Sequence, residues 1–338
     1  MYYPAGGRPK YYLVKDVAVE GKRRKVRKYL GLVQPSAEEL EAYRREYGPW
    51  LEAQAVAAKS RITAERYRSR YLGDKLIALE LVRHMNGAVR QHLSFSEISS
   101  YEQDFEIAYV QGTTSIEGNT LTRRQTADLL TEGIAPHSKS LREINEVQNF
   151  RQVIQYRRHY RGKVSADFVR TLHSMIMANI DFESTGQFRR IDDVAITGCD
   201  LKVTPSALIR SELEAGIRSF YRRLKQGYHP FEEAVLFHYK FEMIHPFTDG
   251  NGRVGREILN YMLMRSKFPR LLFPGRNRKE YLDALRAGNR DDFATLVLAF
   301  AQLMLSQRQQ VLEERLRRVS VPRRKTGQLS LADFVSEN

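Results

Sequence analysis

Residues 244–256 read Ile244-His245-Pro246-Phe247-Thr248-Asp249-Gly250-Asn251-Gly252-Arg253-Val254-Gly255-Arg256, and they separate two stretches with helical periodicity. On the N-terminal side Pro230 suits a first helical position, and Ala234, Phe237, Phe241 and Ile244 then recur at spacings of three and four. On the C-terminal side Ile258, Leu259, Met262 and Leu263 repeat that spacing. The stretch is therefore a helix, a glycine-rich loop and a second helix. Gly250 and Gly252 permit backbone conformations that bring successive N–H groups onto one concave side. Unpaired N–H groups at the start of a helix, with the helix dipole behind them, favour a phosphate. Arg253 and Arg256 stand three apart, share a helix face and can grip neighbouring phosphates. Asp249 beside this cradle can hold Mg²⁺, which takes one or two carboxylates plus substrate phosphates. His245 offers an imidazole of near-neutral pKa that can accept a proton from an attacking hydroxyl. The chemistry is transfer of a phosphate-containing group from a Mg-bound nucleotide to a hydroxyl.

Each part alone is weak: Gly-x-Gly is usually a tight turn, and a histidine after an apolar helix is usually a cap or core residue. The fixed order of eight residue types arises by chance in roughly one chain of this length in 10⁸. The segment resembles the signature of Fic-domain proteins, His-x-Phe-x-(Asp/Glu)-Gly-Asn-Gly-Arg-x-x-Arg, and matches every fixed position. The resemblance runs from about residue 95 to 300 and includes Gly186-Gln187-Phe188-Arg189, the hairpin pattern after it, the Pro230 helix, and Tyr281 with Ala284-Leu285. It implies a mainly α fold, with a helical core and a small β-hairpin flap, and transfer of AMP from ATP to a protein hydroxyl. It makes His245 the general base and Asp249 the Mg²⁺ ligand. Gly250, Asn251 and Gly252 cradle the phosphates, Arg253 and Arg256 bind them, and Phe247 is buried to anchor the loop. Tyr281 lines the adenine pocket or is a core aromatic. Gly252 separates the chain from the toxin branch that acts as a kinase, which carries lysine there.

Upstream, Thr113-Thr114-Ser115-Ile116-Glu117-Gly118-Asn119 resembles the family's inhibitory motif, (Ser/Thr)-x-x-x-Glu-(Gly/Asn). By that resemblance Glu117 ends an inhibitory helix near residues 98–118, N-terminal to the catalytic core, and Gly118 terminates it. Its carboxylate pairs with Arg256 where the ATP γ-phosphate belongs. The same carboxylate can orient a water that removes AMP, so a bifunctional enzyme is within the resemblance. Val194 to Val203 reads as a short hairpin turning through Thr197-Gly198-Cys199-Asp200. The resemblance makes it the flap, with Val194, Ala195, Ile196, Thr197 and Gly198 holding a target segment through main-chain hydrogen bonds. The alternative is an ordinary surface hairpin. His238, on the same helix side as His245, is expected to pack.

The whole chain has 338 residues, 42% hydrophobic and 28% charged, which excludes a wholly disordered polypeptide. One cysteine, Cys199, excludes an internal disulfide. No apolar run approaches the roughly 20 residues of a membrane span, and Met1-Tyr2-Tyr3-Pro4 lacks the order of a secretory signal. A cytoplasmic protein without membrane contact is expected. The net charge of +15 raises the question of an anionic partner. Nine basic residues stand between Arg8 and Lys28, against Asp16 and Glu20. Tyr11–Val19 and Lys22–Leu30 read as two strands around Glu20-Gly21, a hairpin that needs something to pack on.

Ser36-x-x-Glu39 then opens a helix as a capping box, and Gly48-Pro49 is expected to break it. Asp104 to Tyr109 is expected to end another helical region, and Leu141–Tyr160, Ser165–Asn179 and Ser206–Gly227 to be helical. The expected organisation is a basic hairpin and helical linker over 1–60, a Fic domain over 61–310 and a basic tail over 311–338, mobile past Arg315. Expected partners are ATP, a protein target or the chain itself, and a second copy in a homodimer. Two rivals stand beside AMP transfer. One is transfer of another group such as UMP; the other is a nucleic-acid-binding regulator working through the N-terminal hairpin.

Overall fold

The computed structural model describes residues 9–19, 21–192 and 203–319. These fall into two compact units, one made of the described residues up to Lys59 with those from Glu313 onward, the other spanning Ser60–Leu312.

In the first unit β1 (Tyr11–Val19) and β2 (Lys22–Gly31) form an antiparallel ladder, with Val19 opposite Lys22 and Tyr12 opposite Tyr29. Gly21 takes a φ of +89° in the turn, a conformation that favours glycine. Helix α1 (Ala37–Ala64) begins at the Ser36 capping box, where the Glu39 N–H donates to Ser36 Oγ at 3.2 Å and the Ser36 N–H to Glu39 Oε2 at 2.8 Å. Contrary to the sequence expectation, Gly48-Pro49 does not break it. An internal proline forfeits a backbone bond and costs about 3 kcal/mol. Burial of Leu51, Ala55 and Val56 in the next turns, at 4–6% exposure, offsets that cost.

The second unit is built of helices: α2 (Lys75–His92), α3 (Phe95–Ile116), α4 (Arg123–Thr131), α5 (Leu141–Gln148), α6 (Phe150–His159), α7 (Ala166–Ile176), α8 (Ile209–Lys225), α9 (Pro230–Ile244), α10 (Asn251–Arg265), α11 (Arg278–Gly288) and, as far as Leu312, α12 (Phe293–Val319). Capping boxes open α3, α4 and α5 at Ser94, Thr122 and Ser140. Helix α3 runs past the expected stop at Asp104–Tyr109, because Phe105, Tyr109 and Ile116 form one buried stripe that continues for two further turns. The expected Leu141–Tyr160 helix is two helices meeting at Asn149, whose side-chain amide donates to the carbonyls of Ile176 at 2.9 Å and Ala178 at 2.7 Å. A buried ionic network ties α6 to α3 and α10: Arg157 pairs with Glu106 and with Glu257, the latter at 2.6 Å.

Helices α9 and α10 approach closely at Gly255, where a Cβ would stand 2.4 Å from Glu242 Oε1 and 2.9 Å from the Phe241 ring. Helix α12 continues past Arg315 as far as Val319, so the first residues of the tail expected to be mobile in part are helical. Residues 320–338 lie outside the described residues, as do 193–202, which hold Val194, Ala195, Ile196, Thr197 and Gly198 of the expected flap.

Candidate active site

Helix α9 ends at His245, whose backbone is left-handed with φ 47° and ψ 62°, a conformation a non-glycine residue holds only when its surroundings impose it. Those surroundings come from four directions. Asn251 clamps the loop from within: the Phe247 N–H donates to its Oδ1 at 2.9 Å, and its Nδ2 donates to the Phe247 carbonyl at 2.8 Å. Phe247 is fully buried, and its ring stacks on His173 of α7 with centroids 3.7 Å apart. The His173 Nδ1 accepts from the Gly186 N–H at 2.9 Å, so its Nε2 carries the hydrogen and donates to the Asp249 carbonyl at 3.1 Å. Burial pulls the His173 pKa down to about 4, which keeps the ring neutral. The Arg189 Nε donates to the His245 carbonyl at 2.8 Å, and the Arg189 N–H to the Pro246 carbonyl at 2.9 Å. Gly250, with φ +78°, then turns the chain into α10.

One cavity is walled by His245, Asp249, Gly250, Asn251, Gly252, Arg256, Tyr281 and Glu117, residues from α3, the loop, α10 and α11. Burial lowers the His245 pKa below its ordinary value, with the Glu242 backbone carbonyl pulling the other way, so the imidazole is neutral near pH 7. For Asp249, burial works against ionisation, but Arg253, the Gly250 N–H and Arg142 outweigh it and lower the pKa. Its Oδ2 accepts from Arg142 at 2.5 Å and its Oδ1 from Arg253 at 3.2 Å. Among the described residues no three metal-ligating side chains cluster. Mg²⁺ can be held by one carboxylate beside phosphate oxygens and water, and Asp249 would be that carboxylate.

Arg256 is 1% exposed and hydrogen-bonded to α3. Its Nε donates to Thr113 Oγ1 at 2.8 Å, and its Nη2 to the Thr113 carbonyl at 2.8 Å and to Glu117 Oε1 at 2.7 Å. Burial pulls the Arg256 pKa down, and Glu117 more than restores it. Glu117 caps α3, and Gly118 at φ +101° turns the chain away. A Cβ on Gly252 would stand 2.4 Å from Glu117 Oε1, so the carboxylate reaches Arg256 only across a glycine. Arg253 lies off the cavity wall: it is buried and pairs with Glu146 at 3.2 Å as well as with Asp249. The Asn251 side chain is committed to Phe247, which leaves its backbone for the cradle. Tyr281 belongs to both wall and core, since its hydroxyl is hydrogen-bonded to the fully buried His238 at 2.9 Å.

The sequence assigned no role to four residues of the site. His173 and Arg142 act across 76 and 107 positions of chain with no local signal, and Arg189, part of the resemblance, reaches its partner across 56. Glu242 is different. It lies on the cavity wall one turn before His245, and burial, with Glu117 adding to it, pushes its carboxyl pKa up to about 8. An acid on the apolar side of α9 was the visible clue.

The sequence pattern of the Fic/DOC family matches residues 163–263. A protein adenylyltransferase fic-1 of Caenorhabditis briggsae is 32% identical over 196 residues, 56% of this chain and 38% of that protein. The protein adenylyltransferase Fic of Drosophila yakuba is 30% identical over 242 residues, 70% of this chain and 46% of that one. The chain thus spans less than half the length of these curated relatives. Among solved structures, Fic-1 from Caenorhabditis elegans is similar with a TM-score of 0.61 and 25% identity, covering 82% of this chain and 84% of that one. A Fic-domain-containing signalling protein from Bacteroides thetaiotaomicron shares the fold at a TM-score of 0.61 and 20% identity, covering 71% of this chain and 97% of that one. Among the described residues no helix is long and apolar enough to cross a membrane. The loop signature, the helical core and these relatives agree: residues 163–263 match the Fic/DOC family, and the chain shares the fold of solved Fic proteins.

Proposed function

We propose that this chain is an autoinhibited protein adenylyltransferase, moving AMP from Mg-ATP to a serine, threonine or tyrosine hydroxyl of a protein. The observation that carries the reading is the Glu117–Arg256 ion pair at 2.7 Å, set on the same cavity wall as His245 and the glycine cradle. His245 accepts the proton of the target hydroxyl as its oxygen bonds to the α-phosphorus and pyrophosphate departs. The N–H groups of the Gly250–Gly252 turn and the Arg256 guanidinium bind the phosphate oxygens. Mg²⁺ at Asp249 supplies charge neutralisation for the polyphosphate. While Glu117 occupies Arg256, that guanidinium is denied to the γ-phosphate and ATP is held in an unproductive pose.

Glu117 also supports a second activity. A carboxylate on the wall facing a bound AMP-protein can orient a water for removal of the AMP. Transfer of UMP is the nearer rival, because the signature specifies phosphate handling and leaves the base open; competition among nucleotides separates the two.

The test incubates wild type, Glu117→Gly and His245→Ala with Mg²⁺ and α-labelled ATP, then reads protein-bound label on a gel and the mass of the adduct. Strong label in Glu117→Gly, weak label in wild type and none in His245→Ala is expected. Label that survives in His245→Ala would sink the assignment of the base, and equal label in wild type and Glu117→Gly would sink the brake.

A further inference from the structure

The N-terminal hairpin has two unlike faces, because side chains alternate along each strand. One face carries Leu13, Lys15 and Val17 with Val26 and Lys28; Val17 is 5% exposed, Lys15 pairs with Glu52 of α1, and Lys28 lies 4.5 Å over the Tyr47 ring. That face is covered within its own unit. The other face pairs Ala18 with Arg23, Asp16 with Lys25, Val14 with Arg27 and Tyr12 with Tyr29. Arg23, Lys25, Arg27 and Tyr29 are all exposed. Among the described residues no ion pair holds Arg23, Lys25 or Arg27, and Asp16, opposite Lys25, is the one acid on the face. The Tyr12 and Tyr29 rings sit 5.4 Å apart at the end away from the turn.

We propose that this outer face binds double-stranded DNA. A row of unneutralised cations at alternate strand positions repeats every ~7 Å. That regular pitch matches a polyanion better than an irregular acidic peptide. A membrane would call for an apolar face, and here Val14 is the one large aliphatic side chain on offer. A two-stranded antiparallel ribbon fits the B-form major groove, about 12 Å wide. The deep, narrow major groove of A-form RNA does not admit side chains. Arg23, Lys25 and Arg27 reach phosphates, and the tyrosine pair lies along the groove wall.

The test is fluorescence anisotropy of the full chain with a labelled 20-base-pair DNA duplex between 50 and 200 mM NaCl. Micromolar affinity at the low end is expected. With three or four phosphate contacts, each contributing about −0.9 to the log–log salt slope, binding should weaken on the order of 10²-fold across the range. Arg23→Thr/Lys25→Thr/Arg27→Thr keeps strand propensity and should weaken binding at least ~10-fold while flattening the slope by about three contacts. Lys25→Glu, a single reversal on the same face, should weaken binding several-fold, a reading that does not depend on the triple variant folding. Arg123→Ser/Arg124→Ser/Lys225→Ser removes equal charge from the second unit and should leave affinity within two-fold. The proposal is overturned by absence of saturable binding at 50 mM, by unchanged affinity in Lys25→Glu, or by equal loss in the charge-matched control. Binding of an RNA duplex, poly-glutamate or anionic vesicles as tightly as DNA would overturn it too.

Discussion

The loop between α9 and α10 and the end of α3 share one cavity wall, yet they are held in opposite ways. The loop is over-determined: Asn251, Phe247 on His173, and Arg189 on the His245 carbonyl all bind it, and all four of these side chains are buried. Glu117 has a side chain 35% exposed, and among the described residues its carboxylate is bonded to Arg256 alone. If Glu117 withdraws, Arg256 keeps both of its bonds to Thr113 and stands ready for an anion. On the proposed reading the loop is a fixed part of the site and Glu117 a removable one: strain at His245 persists because its neighbours are buried and bonded, whereas the proposed inhibition rests on one contact of a partly exposed carboxylate.

The sharpest way to break this comparison is His245→Ala. Loss of a general base should cut AMP transfer by about 10²–10⁴-fold, measured as label incorporation in a Glu117→Gly background. Next comes Asn251→Ala, which strands the buried N–H and C=O of Phe247. Each stranded group costs about 1–3 kcal/mol, so both melting temperature and transfer should fall. A variant that melts like wild type would mean the loop is not over-determined. Glu117→Gly should raise labelling by about 10-fold, a coupling of roughly 1.4 kcal/mol, while shifting the melt little. A large loss of stability there would show that the brake is structural after all.

A separate effect is expected in pH. His173 has a folded pKa near 4, pulled down by burial, and an unfolded value near 6.5. Between them the unfolded chain binds more protons, so the stabilisation is complete above pH 6.5 and is lost as pH falls toward 4, up to about 3 kcal/mol. His238, pushed down to about 3 by burial and then by Arg256, acts in the same direction. A melting series that stays flat from pH 7 to 4.5 would contradict a neutral His173 under the loop.

Where the signal lay within a few residues, the sequence could be read. The capping boxes at Ser36 and Thr122 start helices as their spacing says. Gly118 stops α3 beside Glu117, and Gly250 and Asn251 open α10. Local rules failed where packing overrode them, as at Pro49 inside α1 and at the supposed stop in α3. They were silent about partners far along the chain: Arg189 for the His245 carbonyl, His173 for Phe247, Glu146 for Arg253.

By itself, then, the sequence determined the helix–loop–helix and the resemblance to the Fic/DOC family, because these depend on order and short spacing. Only the tertiary structure decided that Arg256 faces Glu117 across Gly252, that Arg253 turns to Glu146, and that Glu242 and His173 are neutral at pH 7. Burial and long-range pairing set those states, and both arise only when helices distant in the chain close around the same cavity.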